Sequence, residues 1–360
     1  MTYRVVQWGT GNVGRLALRA IVGHPELELA GVIVHSAEKV GRDAGDLCGI
    51  APTGVIATDE VDAALSTDPE VVSYMATGDL RPKPAVDDIS RVLAAGIDVV
   101  NTSVVPLVYP PAADQRLVAQ LEEACKQGGA SCFTSGIDPG FANDLLPLVL
   151  SGFCERIDSV RVAEILNYDT YDQADVLLDI FGFGKPLDHT PLILSPGVLT
   201  MTWGPVVRLL ADALGAPLDD IREVHERLPA PETFSIPVGT IEQGMAAALR
   251  FEVQGIVDGR PAIVLEHVTR LRDDLAPKWP APPRGGGYRI EIAGSPSWTC
   301  ELGMVGDDGD HNTGGLVATG MRVLNAIPAV VAAPPGLLTP LDLPLITGRG
   351  LLHRTEGGRR

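Results

Sequence analysis

Three glycines in the order Gly9-x-Gly11-x-x-Gly14, placed where an apolar run ends, are the first residues of this chain whose spacing could do chemistry. Residues 3–8 read Tyr-Arg-Val-Val-Gln-Trp, and Leu16, Ala17, Ala20 and Ile21 then give an apolar face at helical spacing. Strand, glycine turn and helix in that order suit a dinucleotide pyrophosphate. The turn is tight, the backbone is bare enough to approach the phosphates, and the first helical N–H groups point at the anion. Thr10, Asn12 and Val13 fill the remaining positions of the loop. Chance produces such spacings in a chain with 40 glycines, so the flanks carry the reading: residues 15–22 contain no Pro or Gly, and a second strand follows over 27–34.

The end of that second strand sets the choice of coenzyme. NAD enzymes usually place Asp or Glu there, where it holds both ribose hydroxyls. This chain has His35 and Ser36, with Lys39 and Arg42 just beyond. A carboxylate would repel a 2′-phosphate, whereas a hydroxyl and nearby cations would donate charge-assisted hydrogen bonds to it. NADP is therefore favoured. NAD stays open if Lys39 and Arg42 are plain solvated charges and Glu38 turns inward.

These loops need a frame that holds them at one edge. Up to about residue 140, apolar strand patterns near 55–56 and at 71–76, 97–101 and 131–134 alternate with helical ones at 59–65, 86–95 and 112–126. Such alternation predicts a Rossmann-type, doubly wound parallel α/β sheet with helices on both faces. Ligands of open parallel sheets lie outside the carboxyl ends of the strands. Thr77, Gly78 and Asp79, and then Asn101 and Thr102, fall there and are expected to approach the nicotinamide ribose. The turn 136–141 falls there too: Asp138 either caps the helix over 141–150 or lies beside the nicotinamide, with Phe141 as an apolar wall.

Beyond residue 141 the pattern changes to α+β with an antiparallel sheet. Residues 159–166 alternate apolar and polar side chains, 248–257 and 262–271 flank Asp258-Gly259, and 288–293 and 298–302 flank Gly294, Ser295 and Pro296. A helix is expected over 199–214, an exposed Pro- and Gly-rich loop over 276–287, and a helix over 315–327 that returns to the first domain. The boundaries read 1–140 for the coenzyme domain, 141–312 for a substrate and dimerisation domain, 313–345 for the returning helix and a Pro-rich surface wrap, and 346–360 for a tail, disordered after Leu352.

Composition excludes several function classes. A net charge of −18 opposes nucleic-acid binding, which requires a basic surface. The five cysteines form no C-x-x-C pair, and reduced thiols in a cytoplasmic protein are the simplest reading. The amino terminus enters a strand without a signal-peptide pattern, and no uninterrupted apolar run of about 20 residues points to a membrane. His225, His267 and His311 show no paired spacing, and Asp307-Asp308-Gly309-Asp310 lacks the length and terminal Glu of an EF-hand, so no metal site is expected.

Several runs together resemble the dihydrodipicolinate reductase-like family, nearer within it to 2,4-diaminopentanoate dehydrogenase and the native amine dehydrogenases. They are Q-W-G-T-G-N-V-G at 7–14, M-A-T-G-D at 75–79, G-I-D-P-G-F at 136–141, G-F-G-K-P at 182–186, R-V-L-N-A-I-P-A-V at 322–330 and P-G-L-L-T-P at 335–340. The resemblance covers about residues 3 to 345. It implies NAD(P)H-dependent interconversion of an amine with a ketone or aldehyde and ammonia, in a homodimer.

One departure matters. Those amine dehydrogenases carry a glutamate, directed at the amine nitrogen, in the loop after the fifth strand, whereas residues 102–110 here (T-S-V-V-P-L-V-Y-P) contain no carboxylate. A cationic iminium gains from a nearby negative charge, and loss of water from the preceding carbinolamine needs a proton donor. Tyr168 is the first replacement expected, followed by Asp138 and by Glu164, whose pKa would rise on a buried strand; Tyr171 and His189 could also donate protons, and Asp169 flanks Asn167-Tyr168 on the side opposite Glu164. Val105, Phe141, Tyr168, Tyr171 and Phe183 would line a pocket for a small uncharged ketone or amine. An NADPH-dependent reductase of a carbonyl or cyclic imine, and a non-catalytic NADP-binding protein, are the alternatives.

Overall fold

A computed structural model describes residues 2–78 and 82–352, apart from the side chain of Arg284. The chain divides into two units, 1–136 with 316–360, and 137–315. The first opens with β1 (Tyr3–Trp8), α1 (Asn12–Gly23) and β2 (Leu27–Ile33), as the glycine motif requires. There follow α2 (Ala44–Cys48), β3 (Ala57–Thr58), α3 (Val61–Leu65), β4 (Val71–Tyr74), α4 (Pro82–Ala94), β5 (Asp98–Asn101), α5 (Gln115–Gly128) and β6 (Ser131–Thr134). Val5, Val6, Val71, Val72, Val99 and Val100 are wholly buried, because helices cover both faces of a parallel sheet and leave its strands no solvent side.

The second unit begins with α6 (Leu145–Ser151), whose N-cap is Asp144, and β7 (Arg156–Asn167). After α7 (Val198–Leu214) come β8 (Asp220–Pro229), a small hairpin of β9 (Phe234–Ile236) and β10 (Gly239–Ile241), then β11 (Ala246–Val257), β12 (Arg260–Arg270), β13 (Gly287–Ser295) and β14 (Trp298–Gly303). Six of these strands form one sheet in the order β14-β13-β7-β12-β11-β8. It is mixed rather than purely antiparallel, since β7 and β12 pair in parallel. The long connection between those two strands permits a crossover that a hairpin does not.

α7 packs against β11 and β12 and closes one face of the sheet. The other face carries an ionic network: Arg161 meets Glu252 (2.9 Å) and Glu266 (2.6 Å), and Arg250 meets the same two carboxylates at 3.0 and 2.6 Å. Burial would push Glu252 up, but its partners, Arg161 first, hold it below the usual carboxylate range.

α8 (His311–Leu324), α9 (Ile327–Val331) and β15 (Gly336–Leu338) complete the chain. β15 extends the first sheet to seven parallel strands, ordered β15-β6-β5-β4-β1-β2-β3. The Pro-rich end, expected to wrap the surface, thus contributes a strand. The helical stretch His311–Val331 is long and apolar enough by length and composition to cross a membrane, against the expectation from sequence. Its Val323, Leu324, Ala326, Ile327 and Val330 lie in the core of the first unit, which accounts for the apolar composition without a bilayer. The expected disorder after Leu352 falls outside the described residues.

Candidate active site

The glycine turn is built by close backbone packing. Gly9 has φ +94°, and a Cβ there would lie 2.8 Å from the backbone of Met75 and Ala76; one at Gly14 would lie 2.2 Å from the Gly9 carbonyl oxygen. Gln7 Nε2 donates to that same oxygen at 2.9 Å and fixes the turn from below. Gly11 has nothing within 4 Å of its Cβ position. The first turn of α1 holds no acidic side chain, and Thr10 Oγ1 is buried without a hydrogen-bond partner among the described residues. Open space over Gly11, a buried hydroxyl and an uncapped helix terminus fit a pyrophosphate. Asn12 and Val13 open α1.

Around the second strand's end, Trp8 Nε1 donates to His35 Nε2 at 3.1 Å, which leaves Nδ1 as the ring's remaining donor. Lys39 Nζ donates to the Thr10 carbonyl at 3.2 Å, so this lysine braces the glycine loop as well as bringing charge to it. Ser36 is half-buried, and Glu38 and Arg42 are exposed.

Gly78 permits another close approach: its Cβ would stand 2.3 Å from the Ser103 carbonyl oxygen. Thr77 is exposed, and Asp79 lies outside the described residues. Asn101 has a different use from the one its position implied. Its Oδ1 accepts from the N–H groups of Ser103 and Val104, and its Nδ2 donates to Thr134 Oγ1 at 2.7 Å, so the side chain is consumed in shaping the loop. Thr102 and Val105 in that loop are half-buried.

The second unit gathers a polar cluster under α7. β13, β7, β12 and β11 place Tyr288, Glu164, His267 and Phe251 in one cross-strand row, Tyr288 and His267 each registered on Glu164, and Phe251 on His267. Registered neighbours share a face, so Glu164 and His267 meet there while Glu266 points to the opposite one. His267 Nδ1 lies 3.3 Å from Glu164 Oε1, and Nε2 lies 3.5 Å from Asp138 Oδ2. Tyr288 donates to Glu164 Oε2 at 2.8 Å and Tyr168 to Oε1 at 3.2 Å. Asp138 Oδ1 accepts from Trp203 Nε1 (2.9 Å) and Asn143 Nδ2 (2.6 Å). Helix capping falls to Asp144, and Asp138 is a member of the cluster.

Burial by itself would push the His267 imidazole down, but the carboxylates of Asp138 and Glu164 outweigh it and raise the ring to about 10. Burial, followed by the Glu164 charge, pushes the hydroxyls of Tyr168 and Tyr288 well above their ordinary value, so both remain proton donors. Two carboxyl groups thus face one imidazole at a place where all three side chains are buried. Donor atoms of Asp138, Glu164 and His267 lie within 4.8 Å of one another, close enough for a cation. In this arrangement each ring nitrogen faces a different carboxylate, so the imidazole links the two acids.

Tyr168, like Asp138, is a half-buried member of this chain of groups, and aromatic rings surround it. Tyr171 stacks on it at 4.9 Å, Phe181 meets it edge-on at 5.9 Å, and Phe183, wholly buried, stacks behind Phe181 at 5.8 Å. Phe181, backed by Phe183, thus forms an aromatic wall beside Tyr168. Arg227 holds this segment by donating to the carbonyls of Gly182 (2.9 Å), Leu187 and His189. Phe141 is half-buried in the turn before α6, and the His189 side chain is exposed. Burial, with Asp273 nearby, pushes the Asp169 carboxyl up.

Sequence reasoning singled out Glu164, Tyr168 and Asp138, which the structure brings into one cluster, and did not single out His267, Tyr288 and Trp203, which join it. The available signal was Glu266-His267 inside the apolar run of β12, one polar residue for each face. Spacing along the chain could not pair His267 with Glu164.

Residues 141–354 match the 2,4-diaminopentanoate dehydrogenase C-terminal domain family. The chain is 44% identical to an amine dehydrogenase of Streptomyces virginiae over 356 residues, covering 98% of this chain and 99% of that protein. It is 25% identical to the 2,4-diaminopentanoate dehydrogenase of Acetoanaerobium sticklandii, covering 95% and 93% of the two chains. Its fold matches the structure of an amine dehydrogenase from Mycobacterium smegmatis with a TM-score of 0.78 at 22% identity, over 96% and 97% of the chains.

Proposed function

The chain belongs to the 2,4-diaminopentanoate dehydrogenase family, oxidoreductases acting on CH–NH2 groups, and from that premise we propose that it is an NADP-dependent amine dehydrogenase. It would interconvert a small apolar ketone or aldehyde plus ammonia with the corresponding primary amine. The observation that carries this reading is the buried anionic cluster ending at the Tyr168 hydroxyl, in a chain whose loop 102–110 has no carboxylate.

When bound, the nicotinamide coenzyme supplies or removes the hydride. Gly9, Gly11, Gly14 and Thr10 would hold its pyrophosphate, and His35, Ser36, Lys39 and Arg42 its ribose end. Glu164 and Asp138 supply negative charge that favours a cationic iminium over the neutral carbonyl, an effect strengthened where water is excluded. In the direction of amine oxidation Tyr168 passes its hydroxyl proton to the Glu164 carboxylate along their hydrogen bond while it takes a proton from the attacking water, and in reductive amination the same relay runs backwards to the departing water. The faces of Tyr171 and Phe181 suit an apolar chain or an ammonium group. Arg161 and Arg250 are paired with Glu252 and Glu266, and Arg227 is spent on backbone carbonyls, so none of the three is offered to a dicarboxylate substrate.

Steady-state oxidation of NADPH with short aliphatic or cyclic ketones should require ammonia. Equal turnover without ammonia would make the protein a carbonyl reductase, and coenzyme binding with no turnover on any such pair would make it a sensor. Coenzyme choice has its own test, because Lys39 also braces the glycine loop while Arg42 does not. Arg42→Ala is expected to raise the KM for NADPH about tenfold, the worth of one charge-assisted contact, and to leave that for NADH within about twofold. Equal effects on both coenzymes would argue for NAD. The five cysteines are unpaired, in keeping with a reducing cytoplasmic setting. A homodimer is expected from the family resemblance, and light scattering of the purified protein checks it.

A further inference from the structure

We propose that His267 is the positioning residue of this site: seated between Asp138 and Glu164, it keeps Glu164 charged as the acceptor of the Tyr168 hydroxyl. The inference rests on the amine dehydrogenase reading and adds a residue and a charge balance to it. Neither its sequence position nor the family resemblance assigned His267 a role.

The geometry leaves the imidazole no other function. Its ring stacks on Phe251 (4.6 Å, 9° between planes) and takes the edge of Trp203 at 4.5 Å, so it cannot turn toward a substrate. Its two nitrogens face one carboxylate each. The groups facing it are Asp138 from the turn before α6, Glu164 from β7, Phe251 from β11 and Trp203 from α7. Tyr168 and Tyr288 reach it only through Glu164. Its effect on chemistry therefore has to pass through the two acids.

Two carboxylates confined in one dry pocket cannot both ionise without a cation, and one of them takes up a proton. With His267 cationic, both acids stay charged and Glu164 accepts from Tyr168 and Tyr288. With a neutral residue at 267, the pair shares one proton, and Glu164 is an acceptor for only part of the time. The proton that Tyr168 gives up then has a weaker destination. Asp138 acts at one further remove: Trp203 and Asn143 hold its carboxylate, which orients His267 toward Glu164.

The test is the pH profile of kcat/KM for oxidation of a small primary amine by NADP+, measured on the full chain. His267→Gln is expected to move the acid limb up by at least about one pH unit and to lower the rate at pH 7 about tenfold or more. The double variant Asp138→Asn with His267→Gln removes the competing carboxylate and should bring the limb back toward wild type, although rates stay low. A merely structural role would lower all rates and leave the limb in place in both variants, and would overturn the proposal. Should His267→Gln fail to fold, 15N spectra of histidine-labelled wild-type protein decide: His267 should remain an imidazolium at pH 8, and a neutral ring there would refute the assignment. Absence of amine turnover in the wild type would instead sink the functional reading, and the spectra would still report on the ring.

Discussion

Glu164→Gln should lower kcat for amine oxidation by about 10²- to 10⁴-fold, the range of a lost acid–base path, while coenzyme affinity stays within about twofold. The amide is nearly isosteric, so the row across the sheet keeps its packing; one of Tyr168 and Tyr288 keeps an oxygen acceptor and the other faces the amide nitrogen. What disappears is charge. Asp138 and His267 then form a neutral pair, the site no longer favours a cationic nitrogen, and the Tyr168 proton has no basic neighbour. Coenzyme contacts are expected from residues of the first unit, which this change does not touch. Stopped-flow measurement of NADPH formation at saturating NADP+ and amine would show it. A loss under tenfold would mean that protons and charge come from somewhere other than Glu164.

The second large effect belongs to the glycine turn, where two substitutions separate folding from binding. Gly11→Ala meets nothing in the protein within 4 Å, and its φ of −73° suits alanine, so the melting temperature should hold. The added methyl occupies the space assigned to the pyrophosphate, and the Kd for NADPH should rise about 100-fold, or about 2.7 kcal/mol. Gly14→Ala puts its methyl 2.2 Å from the Gly9 carbonyl oxygen, and Gly9 is itself wedged against Met75 and Ala76. The turn cannot retreat, so α1 has to move, with about 1–3 kcal/mol of stability lost together with the coenzyme. Fluorescence titration and thermal melts distinguish the two variants. A Gly11→Ala protein that binds NADPH normally would remove the basis for placing the phosphates there.

Local chemistry explains what the sequence disclosed. The turn at 9–14 needs glycine for contacts within a few residues, and Asp258-Gly259 is a hairpin turn in the structure, with φ of +50° and +71°. β8 was missed because an edge strand exposed at most positions, D-I-R-E-V-H-E-R-L-P, has no clean alternation. β15 was missed because three residues among prolines carry too little pattern, and only the open edge of β6 makes a strand of them. Asp138 was legible as a turn residue, but its partner Trp203 stands 65 positions away. The same limit hid His267. Its chemistry depends on which residue of β7 lies opposite, and that register is fixed by the assembled sheet.

The sheet of the second unit has ionic groups on both faces, and these act during assembly as well as in the finished protein. Sliding β12 by one residue would bring Glu266 into the place of His267, facing Glu164 and Asp138, with three acids enclosed and no base among them. On the far side, Arg161 and Arg250 would lose Glu266, one of the two glutamates they share. A misaligned chain is thus penalised twice, so the arrangement that serves amine chemistry also protects the fidelity with which these strands find one another.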